Sequence, residues 1–178
     1  TAPHYFTLNE TAVDEWKTFA KVFPPLRSEI DREAIYNALI NDKIDIISSH
    51  HTPQDQDSKR LPFEQAEFGI IGFETLLPIS LDLYFNGKMQ LIKLIDKLTY
   101  QPAKLLNLNS GKLKIGSPAD ITLIDINTPH KLKLENMISK SKNSLFDDYE
   151  GKGKILHTIV DGRIVYSDPN FKQSTDKK

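Results

Sequence analysis

The chain has 178 residues, a formal net charge of −1 with neutral histidines, 39% hydrophobic and 26% charged residues, and no cysteine. This is the length and composition of a globular domain with its own core. It excludes a disulfide framework and a thiolate metal site, and it leaves no basic field for nucleic acid or an anionic membrane. No run approaches the roughly 18 apolar residues of a membrane span, and the lack of cysteine leads to the expectation of a reducing, cytoplasmic setting.

The opening TAPHYFTLNE lacks the basic and apolar regions of a signal peptide and reads as a strand end entering a loop. In TLNETAVDEWKTFAKVF, cap-like Asn9 precedes Val13, Trp16, Phe19 and Ala20 at helical spacing, which predicts a helix. PPLRSEIDREAIYNALINDK predicts a second, with Ser28 as N-cap, Glu29 and Asp31 in an acidic first turn, and Ile30, Ala34, Ile35, Ala38 and Leu39 on one apolar face. The β-branched run IDIIS has the character of a strand buried on both faces. Helix followed by buried strand suggests a βα repeat and a parallel sheet. A polar loop follows from Thr52 to about Pro62.

IIGFETLLPISLDLYF then predicts a helix with Pro78 as a kink, KMQLIKLIDKLT an amphipathic helix, and YQPAKLLNL a short helix starting near Pro102. After Asn109 the pattern turns to β. HKLKL alternates with period two, and GKILHTIV and RIVYS flank Asp161-Gly162, a strong hairpin signal. The fold expected from these elements is α/β: the closing part of an α/β domain over 1–109, a small sheet over 110–172, and a disordered polar tail over 173–178.

His4 lies in APHYF, at what reads as a strand end, and His50 and His51 follow the apolar run ending at Ile47. Adjacent side chains in extended backbone point to opposite faces, so at most one of the pair faces a common site. His130 and His157 fall in β-type segments and read as sheet or surface residues. A zinc site needs three or four ligands, and the sequence has no His-x-His, no His-Glu-x-x-His, no P-loop or dinucleotide glycine pattern, and no Gly-x-Ser-x-Gly elbow. Phe68-Gly69 is either a place where backbone approaches a ligand or a plain turn.

Six stretches occur in one order: APHYF, VFPPLRSEIDREAI, DIISSHHTPQDQDSKRLPFEQAEFGIIGFETLLP, TYQPAKLLNL, GKLKIGSPADITLID and GKILHTIVDGRIVY. Together they resemble the C-terminal half of the dihydroorotases, in the cyclic amidohydrolase group of the amidohydrolase superfamily. The likeness covers nearly the whole chain. The resemblance implies the last part of a (β/α)8 TIM barrel with its active site at the C-terminal face, followed by strands of a small composite β-sandwich. It also implies zinc and the reversible hydrolysis of dihydroorotate to N-carbamoyl-aspartate in pyrimidine synthesis.

Carried over by position, the resemblance makes His4 a zinc ligand and Phe68 and Gly69 substrate-contacting backbone. Pro24, Pro25, Leu26 and Arg27 match the family's Pro-Pro-Leu-Arg. Phe23 stands where the family has a substrate-binding Asn. His50 stands at the catalytic, metal-ligating Asp, and Gln54 at a substrate-binding His. The family's His-x-His, bridging carboxylated Lys and a further His would lie upstream of Thr1.

A histidine that ligates metal through one nitrogen keeps hydrogen on the other and has no lone pair for base work, so turnover is expected to be weak or absent. Three readings follow: a dihydroorotase segment, a non-catalytic dihydroorotase-like partner of aspartate carbamoyltransferase, or an allantoinase or hydantoinase relative. A small-molecule substrate is expected, with a homodimer allowed.

Overall fold

The computed structural model describes residues 1–171, so the expected tail over 173–178 lies outside the described residues. Six helices occupy the first two thirds: α1 (Pro3–Thr7), α2 (Glu29–Ile40), α3 (Gln56–Arg60), α4 (Phe73–Phe85), α5 (Leu91–Leu98) and α6 (Tyr100–Leu105). Three strands follow: β1 (Ile121–Lys131), β2 (Glu150–Val160) and β3 (Arg163–Ser167), in an antiparallel sheet of order β1-β2-β3.

The elements form where local chemistry favours them. Ser28 caps α2 by accepting the Asp31 N–H, and Asp55 caps α3 by accepting the Ser58 N–H at 2.8 Å. Helix α4 runs through Pro78 and buries Thr75, Pro78, Ile79, Ser80, Leu81 and Leu83. The β2–β3 hairpin turns at Asp161 (φ 49°) and Gly162 (φ 75°), as the Asp-Gly signal requires.

Four expectations are corrected. The loop expected from Thr52 to about Pro62 contains α3. The predicted helix over Asn9 to Ala20 is two 3-10 turns, Glu10–Val13 and Thr18–Ala20. Glu15 (φ 48°) and Trp16 (φ 63°) between them are left-handed, which an α-helix cannot contain. His4 sits in the first turn of α1, not at a strand end. Ile44–Ile47 is extended but is not a ladder strand. The Ile47 N–H bonds to the Lys97 carbonyl and the Ser48 N–H to that of Thr1.

One apolar cluster runs through the molecule: Phe6, Val22, Leu39, Ile47, Ile70 and Ile79 share it with Leu132 and Phe146. The segment after β1 folds back over α4. The Glu74 carboxylate accepts the Ile138 and Ser139 N–H groups at 3.0 and 3.1 Å, and Tyr149 donates its hydroxyl to Asp82. Where β2 crosses α4, Gly153 has φ 107° and any Cβ there would collide with Leu81, so only glycine suits the crossing.

Candidate functional site

Pro3 opens α1 and His4 follows it, 3% exposed. The extended segment ending at Ser49 delivers His50, whose φ of 47° is left-handed and breaks the alternation of faces. The His50 ring thereby meets His4, with Nδ1 of His50 3.2 Å from Nε2 of His4. Burial, aided by the neighbouring His50, pushes His4 down to about 3, so its imidazole is neutral. Tyr5 flanks both rings, with centroids 4.2 Å from His4 and 5.7 Å from His50. Its hydroxyl donates to the Pro24 carbonyl at 2.8 Å, and burial raises it to about 12, so it remains a donor.

His51 points elsewhere. Its Nδ1 accepts the N–H groups of Gly72 (3.1 Å) and Phe73 (3.4 Å), and its ring stacks on Phe73 at 3.9 Å. It caps the start of α4.

Phe23 and Phe68 meet edge to face at 5.7 Å and are both exposed. The Lys21 ammonium lies 4.6 Å from the Phe68 ring centroid. Gln54 donates its side-chain amide to the Phe68 carbonyl at 2.9 Å, and its own N–H bonds to the buried Asn143. Gly69 (φ 141°) packs so closely on Thr52 that a Cβ would stand 2.6 Å from the Thr52 carbonyl oxygen. A cleft of about 180 Å³ adjoins Tyr5, lined also by Pro24, Pro25, Arg27, Arg32 and Ile35, and contains neither histidine of the pair. His130 and His157 lie in β1 and β2.

The geometry brings His4 and His50 together, joins Gln54 to Phe68, and pairs Phe68 with Phe23. Two imidazole nitrogens on one tetrahedral zinc would stand about 3.3 Å apart, so the 3.2 Å spacing suits two donors to one ion. A zinc centre takes three or four donors, and among the described residues no group of three His, Cys, Asp or Glu side chains could hold a metal. The described residues thus fit part of such a centre and do not hold one alone.

Two residues of this region escape sequence reasoning. One is His51 as a cap. The other is Lys59, in α3 and 1% exposed, since a lysine in a polar stretch reads as solvated. A signal for α3 itself was present, because Asp55 three residues before Ser58 is an N-cap pattern.

Residues 8–165 match the amidohydrolase family, and the chain belongs to that family. Within it, a dihydroorotase of Wolbachia sp. subsp. Drosophila simulans (strain wRi) is 45% identical over 165 residues, which are 93% of this chain and 37% of the relative. A dihydroorotase of Ehrlichia canis (strain Jake) is 44% identical over 165 residues, with the same shares. Among solved structures, an L-hydantoinase (dihydropyrimidinase) from Arthrobacter aurescens superposes with a TM-score of 0.87 at 28% identity, covering 94% of this chain and 38% of that one. A D-hydantoinase (dihydropyrimidinase) from Thermus sp. shares the fold with a TM-score of 0.85 at 22% identity, covering 97% of this chain and 40% of that one. The chain therefore spans about two fifths of the length of these relatives. Among the described residues no helix is long and apolar enough to cross a membrane.

Proposed function

We propose that this chain is the C-terminal part of a dihydroorotase-type cyclic amidohydrolase of the cytoplasm. Residues 1–109 would be the closing portion of a (β/α)8 barrel and 110–172 its share of a small β-sandwich. The observation that carries the substrate assignment is the 45% identity to a dihydroorotase across 93% of the chain. The reaction would be hydrolysis of dihydroorotate: water adds to the ring amide carbonyl, the C–N bond breaks, and the nitrogen leaves protonated in N-carbamoyl-aspartate.

In this reading His4 and His50 give nitrogen donors to zinc, with the other ligands in the part of the relatives that this chain does not span. Phe23, Gln54 and the Phe68–Gly69 backbone face the substrate. Zinc, when bound, would supply an activated water. His50 is the weak point. As a ligand it would have no lone pair left for the base role of an aspartate, a role typically worth ~10²–10⁴-fold in rate. Phe23 in place of a polar contact points the same way. A non-catalytic partner of aspartate carbamoyltransferase is therefore the second reading, and an allantoinase- or hydantoinase-type substrate the third.

The test pairs this chain with the upstream part of the Wolbachia relative in the presence of zinc and follows dihydroorotate hydrolysis. We expect low turnover, rising ~10²-fold or more in H50D. If H50D binds zinc and gains nothing, His50 is not what limits the site. Hydantoin turnover without dihydroorotate turnover would move the assignment to the third reading. Tight association with aspartate carbamoyltransferase without turnover would move it to the second.

A further inference from the structure

Lys59 is the most deeply buried charged side chain among the described residues, 1% exposed. Its ammonium donates to three backbone carbonyls: Glu67 at 2.8 Å, Gly69 at 3.1 Å and Lys21 at 3.3 Å. An ammonium has three donors and no acceptor, so each N–H meets one carbonyl. Burial, with the Lys21 charge nearby, pulls Lys59 down to about 8, and Glu67 opposes this. A methionine would fill the same space without burying a charge. What an ammonium adds is the gathering of three carbonyls at one point.

Those carbonyls have a pattern. Glu67 and Gly69 bracket Phe68, and Lys21 lies two residues before Phe23. The Lys21 carbonyl also accepts the Gly69 N–H at 2.9 Å, and the Glu67 N–H closes the loop onto the Ser58 carbonyl at 3.2 Å. Thr18 donates its hydroxyl to the Lys59 carbonyl. Gln54, in turn, holds the Phe68 carbonyl.

We propose that Lys59 is a positioning residue, a buried ammonium that pins the Phe68–Gly69 backbone to the Lys21 segment and so sets the spacing of Phe23, Phe68 and Gln54. It rests on the functional reading only in treating those three residues as substrate contacts; the clamp itself does not depend on it.

The test reads backbone hydrogen exchange by NMR on the 178-residue chain. The sequence has no cysteine, so K59C can be alkylated at that residue alone in denaturant with 2-bromoethylamine. The thiolate displaces bromide, and a side chain carrying an ammonium at lysine's reach results. In unmodified K59C the Gly69 and Thr52 amides should exchange at least ~10-fold faster, while α2 and α5 amides stay within about 2-fold. Aminoethylation should restore protection at both amides and return the Gln54 side-chain amide shift to its wild-type position.

Uniform acceleration would mean a purely global role and overturn the proposal, as would failure of aminoethylation to restore Gly69. Should K59C not fold, the wild-type chain decides. Scalar couplings from the Lys59 Nζ to the Glu67 and Gly69 carbonyl carbons must be observed, and their absence overturns the clamp. Because none of these readouts is turnover, the clamp stands or falls independently of the dihydroorotate assay that tests the functional reading.

Discussion

His50 and His51 are neighbours in sequence with different tasks, and one torsion separates them. At φ 47° His50 turns its ring onto His4, while His51, in an isolated parallel bridge with Ile70, sends its ring to α4. Strand alternation led to the expectation that only one of the two rings faces a common site, but what separates them in the structure is the left-handed backbone at His50, which alternation does not foresee. The use of His51 as a cap was not, because its partners are N–H groups 21 and 22 residues away. Gly72, at the N-cap position, has no side chain to do this work. The ring must be neutral at Nδ1 to accept, and burial lowers its pKa while Glu74 opposes the shift. H51A should therefore cost about 1–2 kcal/mol, the sum of a lost cap and a lost aromatic stack. Urea unfolding checks this, and a loss below about 0.3 kcal/mol would show that α4 does not need the cap. Lys59 teaches a related lesson: a charge drawn inward by backbone carbonyls leaves no trace in periodicity.

At the scale of elements, segments governed by near neighbours were readable. Helices α2, α4, α5 and α6 and the β2–β3 hairpin each carry their own cap, apolar spacing or turn. The stretch from Asn9 to Ala20 misled because its spacing counts Trp16 as core. In the structure Trp16 is 72% exposed and touches Phe63 at 5.4 Å, after a backbone reversal at two left-handed residues. That region is tied down instead by Glu29 in the first turn of α2. Its carboxylate takes two bonds from Arg32, at 2.6 and 2.9 Å, and one from Asn9 at 2.6 Å. These contacts, Arg32 first and Asn9 second, hold Glu29 at about 2 against 4.5 for the free group. A depressed folded value means its stabilisation is fully present above about 4.5 and is lost as pH falls toward 2. E29Q should lower the thermal midpoint at pH 7, with the gap to wild type closing between those two values. A gap that stays constant down to pH 2 would mean that the ion pair is idle. Glu29 is half exposed and Arg32 partly buried, so high salt should shrink the difference only in part.

The whole molecule shows where sequence reading and local structure part company with function. Family membership was legible from six ordered stretches, and a relative 45% identical over 93% of the chain agrees with it. The expected buried strand at Ile44–Ile47 became an extended segment because what it pairs with is the Thr1 and Lys97 backbone, not a neighbouring strand. The same dependence on the rest of the molecule governs the histidine pair.

Structural zinc sites are worth about 10–16 kcal/mol at neutral pH, and they reach it with four donors in place. Here two nitrogens stand at a suitable 3.2 Å, without a third or fourth donor among the described residues. We therefore expect zinc to bind this chain alone with a Kd weaker than about 1 μM, equivalent to less than about 8 kcal/mol. H4A and H50A should each remove that binding, while H157A, in β2 with Ser167 and Phe171 as partners, should leave it intact. Calorimetric titration with zinc chloride measures all four proteins. Nanomolar binding by the wild-type chain, unchanged in H4A, would place the metal elsewhere and break the link between this pair and a metal centre. Weak binding that depends on both histidines, and tightens when the upstream part of a relative is added, would assign to this chain two ligands of a centre completed by other residues.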